Sequence, residues 1–243
     1  MRIDVYLSES GILASRTEAK NLIAEGAVYV DGRQVTKPSF DVAGLEDRIF
    51  VDKSVKRYVS RGGVKLAGAL TAFGVSPEGC ICLDIGASSG GFTDCLLQNG
   101  ASRVIAVDTG SGQLAEKLRL DKRVDVRENY NARYMTREDF SVAPELAVMD
   151  VSFISATYII PSVAEVLAQG GSFICLIKPQ FEVGKAHVGK GGIVKDETAR
   201  ELAKARVISC ALENGFTLGE VIKSPIKGGD GNVEYLAHFV KSK

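Results

Sequence analysis

Neither sign of charge is in excess in this chain: 30 lysines and arginines stand against 30 aspartates and glutamates. Global charge therefore gives no sign of a nucleic-acid partner, and any basic surface has to be local. Histidine is scarce. His187 and His238 are the whole supply, and neither sits near a cysteine in sequence. The cysteines (Cys80, Cys82, Cys95, Cys175, Cys210) are odd in number and lack the spacing of a disulfide framework or a zinc site. Cys80 and Cys82 fall on one face of a strand, where packing accounts for them, so no metal is expected. Free thiols suit a reducing cytosol. Long apolar runs are missing too. The longest uncharged stretch, Val151 to Ala164, contains Pro161 and falls short of the roughly 20 residues a spanning helix needs. The N-terminus MRIDVYLSES lacks the apolar segment of a signal peptide. These absences predict a soluble, cytoplasmic protein with no membrane partner.

What is present is enough apolar material, 45% of 243 residues, for one large domain and a small one. Residues 1–52 read as the small one. Ser15 can cap a helix, with Glu18 three residues on to close a capping box. Arg16 and Lys20 share a face of that helix. Gly26 ends it. Strand-like runs at 27–30 and 34–36 then flank Asp31-Gly32, a two-residue hairpin signal. Arg33 and Lys37 lie on or just after the hairpin. Four such cations can be a plain solvated face or a footprint for backbone phosphates. The stretch SRTEAKNLIAEGAVYVDGRQVTKPS resembles the S4 RNA-binding domain, and the resemblance favours the footprint. Residues 53–61 read as a basic linker. Lys56, Arg57 and Arg61 there either serve solubility or continue the basic track.

Residues 62–243 alternate helix and strand patterns, which predicts a doubly wound, Rossmann-like α/β sheet. Helices are expected at 62–73, 92–98, 112–120, 156–168 and 196–214. Strands are expected at 80–85, 104–107, 124–126, 146–149, 172–177, 217–223 and 232–240. The last two, joined by a short loop, predict an antiparallel strand at the end of the sheet.

The stretch LDIGASSGGFTD, Leu83 to Asp94, passes from a strand through an acid into six small residues and then a helix. Ligands of such sheets bind beyond the carboxyl ends of the strands. Gly86, Gly90 and Gly91 let the backbone approach a ligand and bare the amides ahead of Phe92. Asp108 ends the next strand, where an acid can accept from a ribose diol. A glycine turn alone also fits a ligand-free strand–helix junction. The pattern is neither G-x-G-x-x-G nor a P-loop, which counts against a dinucleotide or a nucleoside triphosphate. D-x-G-x-x-x-G-G resembles the first motif of S-adenosylmethionine-dependent methyltransferases. That resemblance puts Asp84, Gly86, Ser88, Gly90, Gly91 and Phe92 around the cofactor, Asp108 on its ribose, and Asn129 and Asn131 at its adenine.

Lys65, Asp150, Lys178 and Glu234 each sit where an element meets the same rim of the sheet. One charged residue after an apolar strand is commonly just the first exposed position; four around one cleft are harder to dismiss. In order, SRGGVKL, VMDVSF, LIKPQFE and GNVEYL resemble the Lys-Asp-Lys-Glu tetrad of FtsJ-type ribose 2′-O-methyltransferases. With an S4 domain in front, the chain resembles the TlyA family, often labelled hemolysin-like. The resemblance implies S-adenosylmethionine as cofactor and ribosomal RNA or ribosomal subunits as partner. The implied target is a cytidine ribose in 23S RNA, with 16S RNA as a second candidate. The few residues ahead of the S4 helix match members restricted to the large subunit. Lys178 is the expected base, held by Asp150, with Glu234 holding Lys65. An ordinary lysine, with a pKa of roughly 10.4, is protonated at neutral pH, so a lysine base needs surroundings that favour the neutral amine. Two other readings stay open: an RNA-binding protein that keeps the fold without catalysis, and a membrane-active hemolysin. The glycine- and lysine-bearing segment 181–194 is either a mobile loop or a cover for substrate.

Overall fold

The computed structural model describes residues 1–24, 26–52 and 58–242, with residues 21 and 24 as backbone only. The chain divides into two compact units, Met1–Arg61 and Gly62–Lys243.

The first unit begins with helices α1 (Ile3–Glu9) and α2 (Arg16–Ala24). The Ser15 hydroxyl accepts from the Glu18 amide at 3.1 Å, and the Glu18 carboxylate accepts from the Ala14 amide at 2.8 Å. The cap is thus reciprocal, reaching one residue further back than a standard box. Strand β1 (Val28–Val30) pairs antiparallel with β2 (Arg33–Gln34) and β3 (Ile49–Val51), in the order β2-β1-β3. Asp31 and Gly32 both take positive φ, 50° and 72°, as the tight hairpin turn requires. Ile3, Leu7, Leu22, Ile23, Val28 and Val42 form the core of this unit.

The second unit is a seven-stranded sheet in the order β6-β5-β4-β7-β8-β10-β9. Its strands are β4 (Ile81–Ile85), β5 (Arg103–Val107), β6 (Val124–Arg127), β7 (Leu146–Met149), β8 (Ser172–Ile177), β9 (Phe216–Lys223) and β10 (Tyr235–Lys241). β4 to β8 run parallel. β10 inserts antiparallel between β8 and β9, so the reversed strand is one in from the edge. The helices are α3 (Gly62–Phe73), α4 (Gly91–Gln98), α5 (Glu116–Arg119), α6 (Ile160–Val166), α7 (Pro179–Glu182) and α8 (Glu197–Glu213). α6 and α8 cover one sheet face through Ile160, Val163, Val207 and Ala211, packed on Leu83, Ile105, Met149 and Phe173. Of these, each valine, leucine, isoleucine, methionine or phenylalanine contributes about 1.5–3 kcal/mol when fully buried. Strands β4 and β5 are buried over nearly their whole length, as a parallel sheet covered on both faces requires.

Two predicted helices come out shorter. Of residues 112–120, only Glu116–Arg119 is helical. The Gly112 amide is bonded to Glu128 at 2.9 Å and the Ala115 amide to the Ser89 carbonyl at 3.2 Å, so the segment spends its donors outside itself. In 156–168, Pro161 can sit only in the first turn of α6, and the preceding residues, Ala156–Tyr158, form a separate 3₁₀ turn.

Candidate active site

Four strand ends build the rim. After β4 the chain turns at Gly86, with φ of 82°. The Gly86 and Ala87 amides bond to the Val107 carbonyl, and the Asp150 amide bonds to the Ile85 carbonyl at 2.9 Å, so the turn is tied to both neighbouring strands. A Cβ on Gly86 would run into the Asp150 carbonyl. Glycine is therefore required here by backbone conformation and by space. Gly90, with φ of 94°, is bare on the same two grounds, its absent side chain making room for Leu114 and Leu118. Gly91 and Phe92 open α4 as buried residues.

Beyond this turn lies a cleft of about 340 Å³, lined among others by Gly86, Ser88, Asp108, Asn131, Asp150 and Ser152. Asp108 accepts from the Ser88 amide at 2.8 Å on one oxygen and from the Gly110 amide at 2.7 Å on the other. Each oxygen keeps a second lone pair for a ligand. Asn131 lines the cleft while its side chain accepts from the Arg133 amide at 3.1 Å. Asn129 is not brought there: it is exposed, in left-handed conformation with φ of 55°, and Tyr130 occupies the wall instead. Asp84 lies fully buried behind the cleft. Thr93 donates to its Oδ2 at 2.6 Å, and its Oδ1 has no hydrogen-bond donor among the described residues. Burial, opposed by the Thr93 bond and reinforced by the charges of Asp150 and Asp108, pushes its carboxyl up to about 7.

A second cleft of about 320 Å³ adjoins the first and is lined by Lys65, Lys178, Gln180 and Glu234, with Val188 and Gly192 from the glycine-rich segment. Ser152 and Phe153 line both clefts. Lys65, on α3, meets Glu234 at 2.5 Å, both almost wholly buried. Glu234 comes just ahead of β10 rather than on it. A Cβ on Gly228 would strike its carboxylate, so the glycine loop before β10 makes the space it occupies. Lys178, extended at the end of β8 with Pro179 opening α7, lies 2.5 Å from Asp150 Oδ1 and donates to Ser152 Oγ at 2.8 Å. All four charged residues are thus gathered as two ion pairs around adjoining clefts. Sequence reasoning missed Ser152, Phe153, Tyr130, Gln113, which lines the first cleft and accepts from the Ser88 hydroxyl at 3.2 Å, and Glu182. The last is buried on α7 and accepts from the Ser155 hydroxyl at 2.5 Å and the Ala156 amide at 2.8 Å, tying the segment after Asp150 to the one after Lys178. Burial raises its carboxyl above the ordinary range.

The cations expected on the first unit are less uniform. Lys20, Arg33 and Lys37 are exposed, and Arg33 and Lys37 line a concavity of about 610 Å³ with Phe40. Arg16 has a structural partner: with Arg2 it pairs the buried Asp4, at 3.1 and 2.9 Å, and the Arg2 bond, followed by that of Arg16, holds that carboxyl below its usual value. Arg61 is half-buried, and Lys56 and Arg57 lie outside the described residues.

Residues 58–241 match the model of the FtsJ-like methyltransferase family, and residues 1–49 match the S4 domain. Hemolysin A of Brachyspira hyodysenteriae is 46% identical over 99% of this chain and 100% of its own length. The 16S/23S rRNA (cytidine-2′-O)-methyltransferase TlyA of Mycobacterium tuberculosis is 43% identical over 96% of this chain and 87% of its own. A solved structure from Streptococcus thermophilus, described provisionally as a hemolysin, is 42% identical, covers 100% of this chain and 89% of its own, and superposes with a TM-score of 0.78.

Proposed function

The chain belongs to the FtsJ-like methyltransferase family, in the TlyA and Hemolysin A branch that carries an S4 domain, and from that premise we propose that it transfers a methyl group from S-adenosylmethionine to the 2′-hydroxyl of a cytidine in ribosomal RNA. The observation that carries this reading is the meeting of the two clefts: a cofactor-sized cleft floored by Gly86 adjoins a cleft holding Lys65, Lys178 and Glu234, and Ser152 and Phe153 belong to both.

The residues of the first cleft fit this cofactor. Its charge suits them, since the ligand brings an ammonium and a sulfonium to a place lined by Asp108 and Asp150. Behind the cleft, the buried Asp84 Oδ1 has no hydrogen-bond donor among the described residues. Asp108, fixed by two amides, can accept from a ribose diol, and Gly86 leaves the backbone bare where a ligand approaches. When bound, the cofactor supplies a methyl carbon made electrophilic by its sulfonium sulfur. The chain's own work is to place the acceptor oxygen in line and to take its proton. Lys178 is the base. Asp150 anchors its amine, and Glu234 anchors Lys65 at the opposite wall. Lys20, Arg33 and Lys37 of the S4 domain give the RNA a sequence-independent grip.

The hemolysin names among the relatives suggest membrane attack. Among the described residues, no helix is long and apolar enough to cross a bilayer. Two buried or half-buried lysine–carboxylate pairs at one rim have a use in group transfer and none in that activity. The test is Lys178→Ala. Methyl transfer to RNA is expected to fall by about 10²–10⁴-fold, with cofactor binding by calorimetry unchanged. Unimpaired transfer would remove Lys178 as the base.

A further inference from the structure

Among the described residues, two polar side chains meet the Lys178 amine, and they do different things. Asp150 Oδ1 is very close, at 2.5 Å, yet this oxygen accepts no properly aligned hydrogen bond among the described residues. The contact is an ion pair that lies off the hydrogen-bond axis. The directed hydrogen bond from the Lys178 amine goes to Ser152 Oγ at 2.8 Å. An amine nitrogen has four tetrahedral directions. Cε takes one, Ser152 a second, and Asp150 crowds a third. The direction left opens on the cleft that Lys178 shares with Lys65 and Glu234.

The backbone around Ser152 is built to hold it there. Phe153 has φ of 64°, a conformation that a bulky side chain adopts only where surrounding structure imposes it. The imposing contacts are present on both sides. Upstream, the Asp150 amide is bonded to the Ile85 carbonyl. Downstream, Glu182 grips Ser155 and Ala156, and the Arg206 guanidinium donates to the Glu182 carbonyl at 2.9 Å. The left-handed turn at Phe153 thus leaves its own side chain 92% exposed and Ser152 facing Lys178.

We infer that Ser152 is a positioning residue for the base: Asp150 anchors the Lys178 amine, and Ser152 sets its direction, so that the lone pair of the neutral amine points at the acceptor hydroxyl. The inference rests on the reading of function above. In the step it serves, the ribose O–H proton passes to Lys178 Nζ, the oxygen forms the bond to the methyl carbon, and the S–CH₃ bond breaks with its electron pair left on sulfur. Lys178 leaves the step as an ammonium and returns its proton to water.

The test compares Ser152→Ala and Ser152→Thr with wild type. Ser152 is exposed, so the substitutions leave the core intact. In Ser152→Ala, kcat is expected to fall by about 10–100-fold, with KM for cofactor and for RNA within about twofold of wild type. Ser152→Thr, which keeps the hydroxyl, is expected to recover most of kcat. A second readout needs no ligand. In protein labelled with ¹³Cε-lysine, the two Lys178 ε-protons are expected to be inequivalent in wild type and in Ser152→Thr and to average in Ser152→Ala, the signal being assigned by its loss in Lys178→Arg. Unchanged kcat in Ser152→Ala, a loss confined to KM, a threonine variant as poor as alanine, or ε-protons that do not respond would each overturn the inference. If wild-type protein transfers no methyl to ribose, the reading of function falls instead, and the ε-proton comparison still decides whether Ser152 holds Lys178.

Discussion

Asp84 is a carboxyl in a state unlike that of an ordinary aspartate. A carboxyl pushed up to about 7 holds its proton in the folded protein between about pH 4 and 7, while the unfolded chain has already released it. The folded state binds more protons across that window, so Asp84 makes stability fall as pH rises through it, and the penalty is complete above about 7. Asp84→Asn keeps an acceptor for Thr93 and has no charge to desolvate. Urea denaturation at pH 5, 6 and 8 is expected to show the variant gaining on wild type as pH rises, by at most about 4 kcal/mol. An equal difference at all three values would mean the carboxyl is already ionised at pH 5.

Among the elements, the segment from β7 to the 3₁₀ turn at Ala156–Tyr158 does most to shape the site, and Glu182 is what holds it. Glu182→Ala leaves the Ser155 hydroxyl and the Ala156 amide without their acceptor, at a cost of about 1–3 kcal/mol. Denaturant unfolding measures that loss. Because the same segment carries Asp150 and Ser152, kcat is expected to fall by about tenfold or more, with cofactor affinity less affected. A variant that loses stability at full kcat would detach the brace from the chemistry. This scale also shows what the sequence could and could not reveal. The strands were legible because apolar runs such as Leu146–Met149 and Ser172–Ile177 end abruptly at charged residues. Asp150 and Lys178 stood out for the same reason, whereas Lys65, inside α3, and Glu234, ahead of β10, stood out through the family phrases around them. The insertion of β10 between β8 and β9 was not legible, since strand order depends on pairing between distant segments. Ser152 was not either: its direction follows from a left-handed turn at a phenylalanine, a residue type that gives no hint of one. Asn129 was placed at the cofactor by its neighbourhood in sequence, whereas its own left-handed turn puts Tyr130 and Asn131 on the cleft wall.

For the molecule as a whole, the division at Arg61 and Gly62 separates a unit that matches the S4 domain from one that matches the FtsJ-like methyltransferase family. RNA binding is expected to weaken steeply with salt. Replacing both Lys20 and Lys37 by alanine is expected to reduce the slope of log affinity against log salt by about 2, with cofactor binding untouched. Arg16→Ala should behave differently. It strips one partner from the buried Asp4, so its first effect is a lower melting temperature of the small unit. Filter binding at several salt concentrations, read beside thermal melts, separates the two.

The most direct measurement offers ribosomal subunits and free ribosomal RNA to the purified protein with methyl-labelled S-adenosylmethionine, then digests the RNA and locates the label. The account expects the label on the 2′-oxygen of a cytidine, and expects Lys178→Ala to cut that label by about 10²–10⁴-fold. Label on a base atom, or on protein alone, would contradict it.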